Sequence, residues 1–277
     1  MTKRTGRDWR RLGLRILNSA FFARVLLVSG VVAGLYLVLG LARLTGVIDP
    51  VLWELLDDPL SEGSRNTIVL SISVILLGVG IGFLMGWGRV SRHPVLSWPA
   101  AAFVDFFRGI PPLVLILFAF FWLPFVLDTG YGSGLAFAVL AVALHSGAYQ
   151  AEIFRAGFQS VPRGQIEAAE ALGLTNGQAM QHVILPQTFR MTLPALGNEF
   201  ANVIKDTSLL AAIGALDLVY WGRNAAGSPA AFAHFEWIFA IWLIIALLYF
   251  IITYVITQAV AAVEQRFRVP GLGSVAF

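Results

Sequence analysis

Inside apolar segments the chain carries a few polar and ionisable residues, and these are grouped. His145, Ser146, Tyr149 and Glu152 recur at helical spacing in one segment. Asn198, Asn202 and Lys205 stand at i, i+4 and i+7 in another, with Glu199, Asn202 and Asp206 on an adjoining face. Residues three and four apart share one side of a helix. An ionisable group within a membrane span costs roughly 2.5–3.5 kcal/mol, so such groups face a cavity or one another. His145, Ser146, Asn198, Asn202, Lys205 and Asp206 are therefore the candidate pathway residues. The competing reading is structural: Asn and Ser also serve as hydrogen-bond glue between helices, and Lys205 and Asp206 can mark the end of a span. Covalent catalysis finds no support. His145 and Ser146 are adjacent, and neighbours on a helix point about 100° apart, which suits proton transfer poorly. The four histidines are scattered and there is no cysteine, so neither a metal centre nor a thiolate is expected.

The elements that must position these groups are transmembrane helices. Of 277 residues 58% are hydrophobic and 13% charged, against about 25% charged in a soluble domain. The composition is that of an integral membrane protein in contact with lipid, and no basic-aromatic patch suggests nucleic acid. About 20 apolar residues span the hydrocarbon core. Residues 25–42, 66–88, 110–127, 129–151 and 237–263 meet or approach this, and 191–213 does so apart from Glu199, Lys205 and Asp206. The expectation is an all-α six-span bundle.

Basic residues mark the cytoplasmic side. The tail 1–24 holds Lys3, Arg4, Arg7, Arg10, Arg11, Arg15 and Arg24. An acidic loop follows the first span, with Asp49, Glu54, Asp57, Asp58 and Glu62. Arg89, Arg92, Arg155, Arg163, Arg266 and Arg268 follow spans two, four and six. Both termini are expected in the cytoplasm. The long basic region and span-length apolar run do not read as a cleaved signal peptide. The second span carries Gly78, Gly82 and Gly86, a flat strip for close helix packing. Gly109, Pro111 and Pro112 break the helix from Leu96 before the third span, and Asp105 and Arg108 are spaced to pair.

Between spans four and five lies a polar stretch, residues 162–186, that reads as two short helices. Pro162 suits a first turn, and Gly173 sits where a left-handed cap needs no Cβ. Thr175 and Gln178 are spaced as a capping box for a second helix that Pro186 would end. Within it, Glu167-Ala168-Ala169 precedes Gly173 by three residues, and Val183, one spacer and Leu185-Pro186 follow after nine more. This resembles the EAA loop of permease subunits of bacterial ABC importers, with Val183 where that pattern has Ile. Phe107-Arg108-Gly109-Ile110-Pro111, Ser146-Gly147-Ala148-Tyr149, Ala151-Glu152-Ile153, Gln159-Ser160-Val161-Pro162 and Lys205-Asp206-Thr207-Ser208-Leu209 resemble the polar amino acid permease family. Ile110 departs from the usual Thr, and His145 from the usual Asn.

The resemblance covers roughly residues 65–265 and implies a five-span importer core at 63–265 with a coupling loop at 154–189. Residues 25–62 form an accessory span and external loop, and 266–277 a cytoplasmic tail. It implies a non-catalytic subunit of the bacterial inner membrane that translocates a polar amino acid. Implied partners are two ABC ATP-binding subunits, which hold the ATP and Mg2+, a second permease copy or paralogue, and an extracytoplasmic solute-binding protein. Glu167, Ala168, Ala169, Gly173, Val183, Leu185 and Pro186 would couple to the ATPase. The chain agrees that energy comes from elsewhere: Lys3 and Lys205 are its only lysines, and neither ends a Gly-rich phosphate loop. A zwitterionic amino acid needs partners of both signs in one cavity, which spans four and five supply. The alternative is a self-sufficient secondary transporter or channel, whose usual internal repeats the six dissimilar spans do not show.

Overall fold

A computed structural model describes residues 49–267 continuously, together with scattered positions between 23 and 46. Nearly all of the basic tail 1–24, much of the span at 25–42 and the chain beyond 267 lie outside the described residues. Every regular element among the described residues is helical.

Asp49 caps α1 (Pro50–Asp58) by accepting from the Val51 N–H at 2.8 Å, with Pro50 in the first turn. A wide turn, Pro59–Gly63, carries α1 into α2 (Ser64–Val90). The chain breaks at 91–93, then forms α3 (Pro94–Gly109) and α4 (Pro112–Val126). These two are bent by 101°. Pro111 lacks a donor and holds Ile110 extended, at φ −110° and ψ 133°. The break expected before the third span is thus present. The fourth expected segment, 129–151, is displaced: its helix is α5 (Gly134–Gln159), reaching a further two turns toward the polar stretch. The shift follows from Gly130 and a tight turn at Tyr131–Ser133, which delay the helix start.

After α5 come α6 (Arg163–Ala171), α7 (Asn176–Ala179) and α8 (Leu185–Asp206). A tight turn, Thr207–Ile213, ends α8 at Gly214. Asp217 and Ser228 cap α9 (Leu218–Ala226) and α10 (Pro229–Ala233), and α11 (Phe235–Phe267) closes the chain. Among the described residues three helical stretches are long and apolar enough to cross a membrane: Pro50–Val90, Tyr131–Gln159 and Phe235–Gln265. The bent α3–α4 pair makes a fourth if counted as one. α8 falls short by hydropathy, its C-terminal half carrying Glu199, Lys205 and Asp206.

α5 is the hub, touching α2, α3, α4 and α8. The α2 glycines face it. A Cβ on Gly78 would lie 2.7 Å from Gln150 Nε2, one on Gly82 2.6 Å from Gln150 Cβ, and one on Gly86 2.7 Å from the Ala151 carbonyl. The strip therefore serves internal packing. Around it, Val74, Ile116, Val142, Val203 and Leu210 form one buried cluster, and Phe154, Phe158 and Leu196 another. A third joins α11 to α1 and α9 through Leu56, Leu218, Ile241 and Ile245. Asp217, 1% exposed, accepts from the Tyr220 N–H at 2.8 Å and the Tyr249 hydroxyl at 3.1 Å, tying α9 to α11.

Two outcomes follow. Gly82→Leu must push α2 and α5 apart and is expected to cost about 1–3 kcal/mol, whereas Gly80→Leu, with nothing within 4 Å of its Cβ, should be silent; melting of the purified protein reads both. Burial pushes the Asp217 carboxyl from 3.8 up to about 6. Below pH 3.8 it is protonated folded and unfolded alike. Stability then falls as pH rises and levels off above about 6, by ~3 kcal/mol at most. Asp217→Asn should flatten that fall in melting curves taken from pH 4 to 8.

Candidate functional site

The helix pair after α5 is built by local signals. Gly173, at φ +80°, donates to the Glu170 carbonyl at 2.9 Å, and Leu174 donates to Ala169 at 3.1 Å. This double bond pattern closes α6 with the left-handed cap expected. The Thr175 N–H donates to Gln178 Oε1 at 2.9 Å, and the Gln178 N–H to Thr175 Oγ1 at 3.4 Å, completing the capping box. Pro186 does not end the second helix, contrary to expectation. A wide turn, Met180–Ile184, in which the Leu185 N–H reaches back to the Met180 carbonyl, carries α7 into α8 with Pro186 in its first turn. The widened ladder makes room for a residue without an N–H.

The two alanines of the motif part company. Ala169 is buried, as is Ala179 on α7, while Ala168 is exposed beside Glu167. Leu172, one turn on, is 81% exposed. Leu185 and Ile184 pack against Phe154 and Phe158, Val183 is half-buried and Pro186 exposed. Gln187 bonds Gln165 across the pair and the Val183 carbonyl at 2.9 Å. The turn that follows the pair is thus packed on the base of α5. The pair itself leaves Glu167, Ala168 and Leu172 exposed.

Just above, Glu152 joins α2 to α5. Its Oε1 pairs with Arg89, and its Oε2 accepts from Arg155 Nη2 at 2.7 Å and Nε at 2.9 Å. Asp105 lies 3.9 Å from Arg89 rather than pairing with Arg108. The Arg108 guanidinium instead sits 5.0 Å from the Tyr149 ring centroid. α3 packs along both α2 and α5, which turns its last residues away from each other's reach. Glu152 is therefore withdrawn from the face it was expected to share with His145 and Tyr149, whose rings are 5.2 Å apart. The Arg89–Glu152 pair was missed in the sequence. Its signal was the glycine strip, whose four-residue steps against Gly147 and Ala151 carry the register on to these residues.

Between α5 and α8 lies a polar network. Ser146 Oγ donates to Glu199 Oε1 at 2.8 Å, Gln150 Nε2 donates to Ser146 at 3.0 Å, and Asn202 Nδ2 reaches Glu199 Oε2 at 3.5 Å. Ser146, Gln150 and Glu199 are buried. His145 Nδ1 is 2.9 Å from the Phe107 carbonyl, which can only accept, so Nδ1 carries a proton. Asp206, half-buried, is within electrostatic reach of His145. Asn198 and Asn202 are exposed on α8. Lys205 turns elsewhere, lining a cavity of about 220 Å³ with Ser208, Val219, Trp242 and Tyr249. The structure thus gathers His145, Ser146, Asn202, Asp206 and the neighbouring Glu199, but not Lys205. Lys205 stands in the last turn of α8, where α9 and α11 supply its neighbours Val219, Trp242 and Tyr249. Gln150 was overlooked, although two facing glycines on α2 make room for it. Among the described residues no cluster of His, Asp or Glu could hold a metal ion.

Comparison with known proteins converges on one family. Residues 78–269 match the binding-protein-dependent transport system inner membrane component family. GlnM of Bacillus subtilis (strain 168), a probable glutamine ABC transporter permease protein, is 32% identical over 206 residues, 74% of this chain and 91% of its own. GlnP of Escherichia coli (strain K12), a glutamine transport system permease protein, is 34% identical over 211 residues, 76% of this chain and 93% of its own. The crystal structure of an amino acid ABC transporter with histidines matches at TM-score 0.64 and 29% identity, covering 82% of this chain and 97% of that one. An inward-facing MetNI methionine ABC transporter shares the fold at TM-score 0.62 and 21% identity, covering 78% of this chain and 99% of that one. With more than half its length matched, the chain belongs to the binding-protein-dependent transport system inner membrane components, the permease subunits of ABC importers.

Proposed function

We propose that this permease carries a polar amino acid of the glutamine type inward, driven by two ATP-binding subunits, one of them docked at α6 and α7. The observation that carries the docking reading is the two-sided helix pair. On one side Ala169 is buried, Gln187 of α8 ties back to Gln165 of α6, and Leu185 packs on the base of α5, while Glu167, Ala168 and Leu172 are exposed. Ala168 keeps the exposed face slim enough to enter a cleft, Leu172 gives it an apolar anchor, and Glu167 offers a charge. Gly173 sets the angle between the helices. Ser160, Val161 and Pro162 alone separate α5 from α6, so closure of the ATPases would move α5 and alternate access to the path beside it.

In this reading the chain has six spans, with both termini and the coupling loop 154–189 in the cytoplasm. Residues 63–265 form the permease core, and 25–62 an accessory span and outer loop. It pairs with a second permease copy or paralogue and receives substrate from a solute-binding protein. Glu199 and Asp206 suit the ammonium group, while His145, Ser146, Asn198 and Asn202 supply hydrogen bonds around it. Lys205 stands apart, at the outer end of α8. The relatives' named substrate, glutamine, supports the class.

Gly173→Val, forced into a backbone region that L side chains rarely adopt, should lose co-purification of the ATPase while the permease remains folded by melting. His145→Ala and Asn202→Ala should keep the ATPase yet lower substrate-stimulated ATP hydrolysis and glutamine uptake by about tenfold. Retention of the ATPase by the glycine variant defeats the docking reading, and unchanged uptake in both others defeats the path.

A further inference from the structure

We propose that Arg108 is the carboxylate-binding residue of the translocation path, its guanidinium held over the Tyr149 ring to take the α-carboxylate of an amino acid whose ammonium group faces Glu199 and Asp206. The proposal rests on the amino acid reading above. It adds the group that binds the substrate's anionic end.

Depth is the first observation. α5 runs over Gly134–Gln159, so its midpoint falls between Ser146 and Gly147. Tyr149 lies about 4 Å further along the axis at the helical rise. Arg108, 5.0 Å from that ring, therefore lies about one helical turn inward of the level at which Arg89, at the end of α2, meets Glu152. A cation held against the bundle at that level is costly unless something compensates it.

The missing anion is the second observation. Among the described residues no carboxylate lies within ion-pair distance of Arg108. Asp105, three residues before it, turns to Arg89. Glu152 is within electrostatic reach, yet one oxygen is taken by Arg89 and the other by two nitrogens of Arg155. The negative end of α3 is partly spent too, since His145 holds the Phe107 carbonyl. Tyr149 supplies a ring face, which attracts a cation but leaves the donors of the guanidinium edge free.

Position is the third. Arg108 is exposed, and Tyr149 is 36% exposed, on the side of α5 that also carries His145. His145 touches Tyr149 on one side and is within reach of Asp206 on the other. A cation and two carboxylates thus bracket one polar surface, as a zwitterion requires. The guanidinium fork matches a carboxylate in two-point contact, which an ammonium does not. The 101° break after Gly109 presents Arg108 there, over the Tyr149 ring.

The test uses the permease–ATPase complex without binding protein, so that discrimination arises in the membrane subunit. Binding of L-glutamine and of L-glutamine with its α-carboxyl amidated is measured for wild type, Arg108→Gln and Arg108→Lys. Wild type should prefer the free carboxylate by at least about tenfold. Arg108→Gln should bring the preference to about one by weakening glutamine alone, and Arg108→Lys should restore part of it. Equal weakening of both ligands, or an unchanged preference, assigns Arg108 a structural role and overturns the proposal. If added anionic phospholipid in nanodiscs competes with glutamine in wild type but not in Arg108→Gln, a lipid phosphate is the natural occupant and the proposal fails. If wild type binds none of L-glutamine, L-glutamate, L-histidine and L-arginine, the amino acid reading itself fails.

Discussion

The contact between α2 and α5 sets the terms for everything else in this chain. In lipid, helices gain little from apolar burial alone, so close approach and hydrogen bonds must hold them. Gly78, Gly82 and Gly86 allow that approach, and their register determines which polar groups of α5 lie inside the bundle. Gln150 is fully enclosed against α2, and Glu152 meets Arg89 at the end of α2. With that side of α5 committed, its other polar residues must look elsewhere. Ser146 turns to Glu199 on α8, and His145 and Tyr149 turn to the end of α3. The polar surface proposed to serve transport is what remains once the glycine contact is satisfied.

The same helix continues to the α6–α7 pair with few residues between. Phe154 and Phe158 of α5 pack with Ile184 and Leu185 at the start of α8, so the pair is fastened at both of its chain ends. Glu152 with its two arginines stiffens the α5 base just above. A rigid base is what transmission of a docking event needs, because motion lost in a flexible hinge never reaches the path.

Much of this was legible in the sequence, for physical reasons that differ by element. Gly173 and the Thr175–Gln178 box are local devices, and their geometry depends only on near neighbours; both form as expected. The glycine strip was legible as a packing face because nothing but close contact uses that spacing in lipid. Partner choice was less accessible. Periodicity gives the face of a helix but not the neighbour that meets it, so Lys205 was grouped with Asn202 while it turns toward Trp242 and Tyr249. Arg108 was paired with Asp105 because both fall on one helix, while α3's neighbours drew them apart. Pro186 was read as a stop because a regular helix cannot carry it, whereas the wide turn before it can. The divergence of Ala168 and Ala169 needed the packing of α6 on α7 to be seen.

The most direct measurement is uptake of labelled L-glutamine into proteoliposomes holding this chain with its ATPase, supplied with binding protein outside and ATP inside. The account predicts accumulation against a gradient that requires internal ATP and the ATPase. Equal uptake by the chain alone, without ATP or the ATPase, would contradict it.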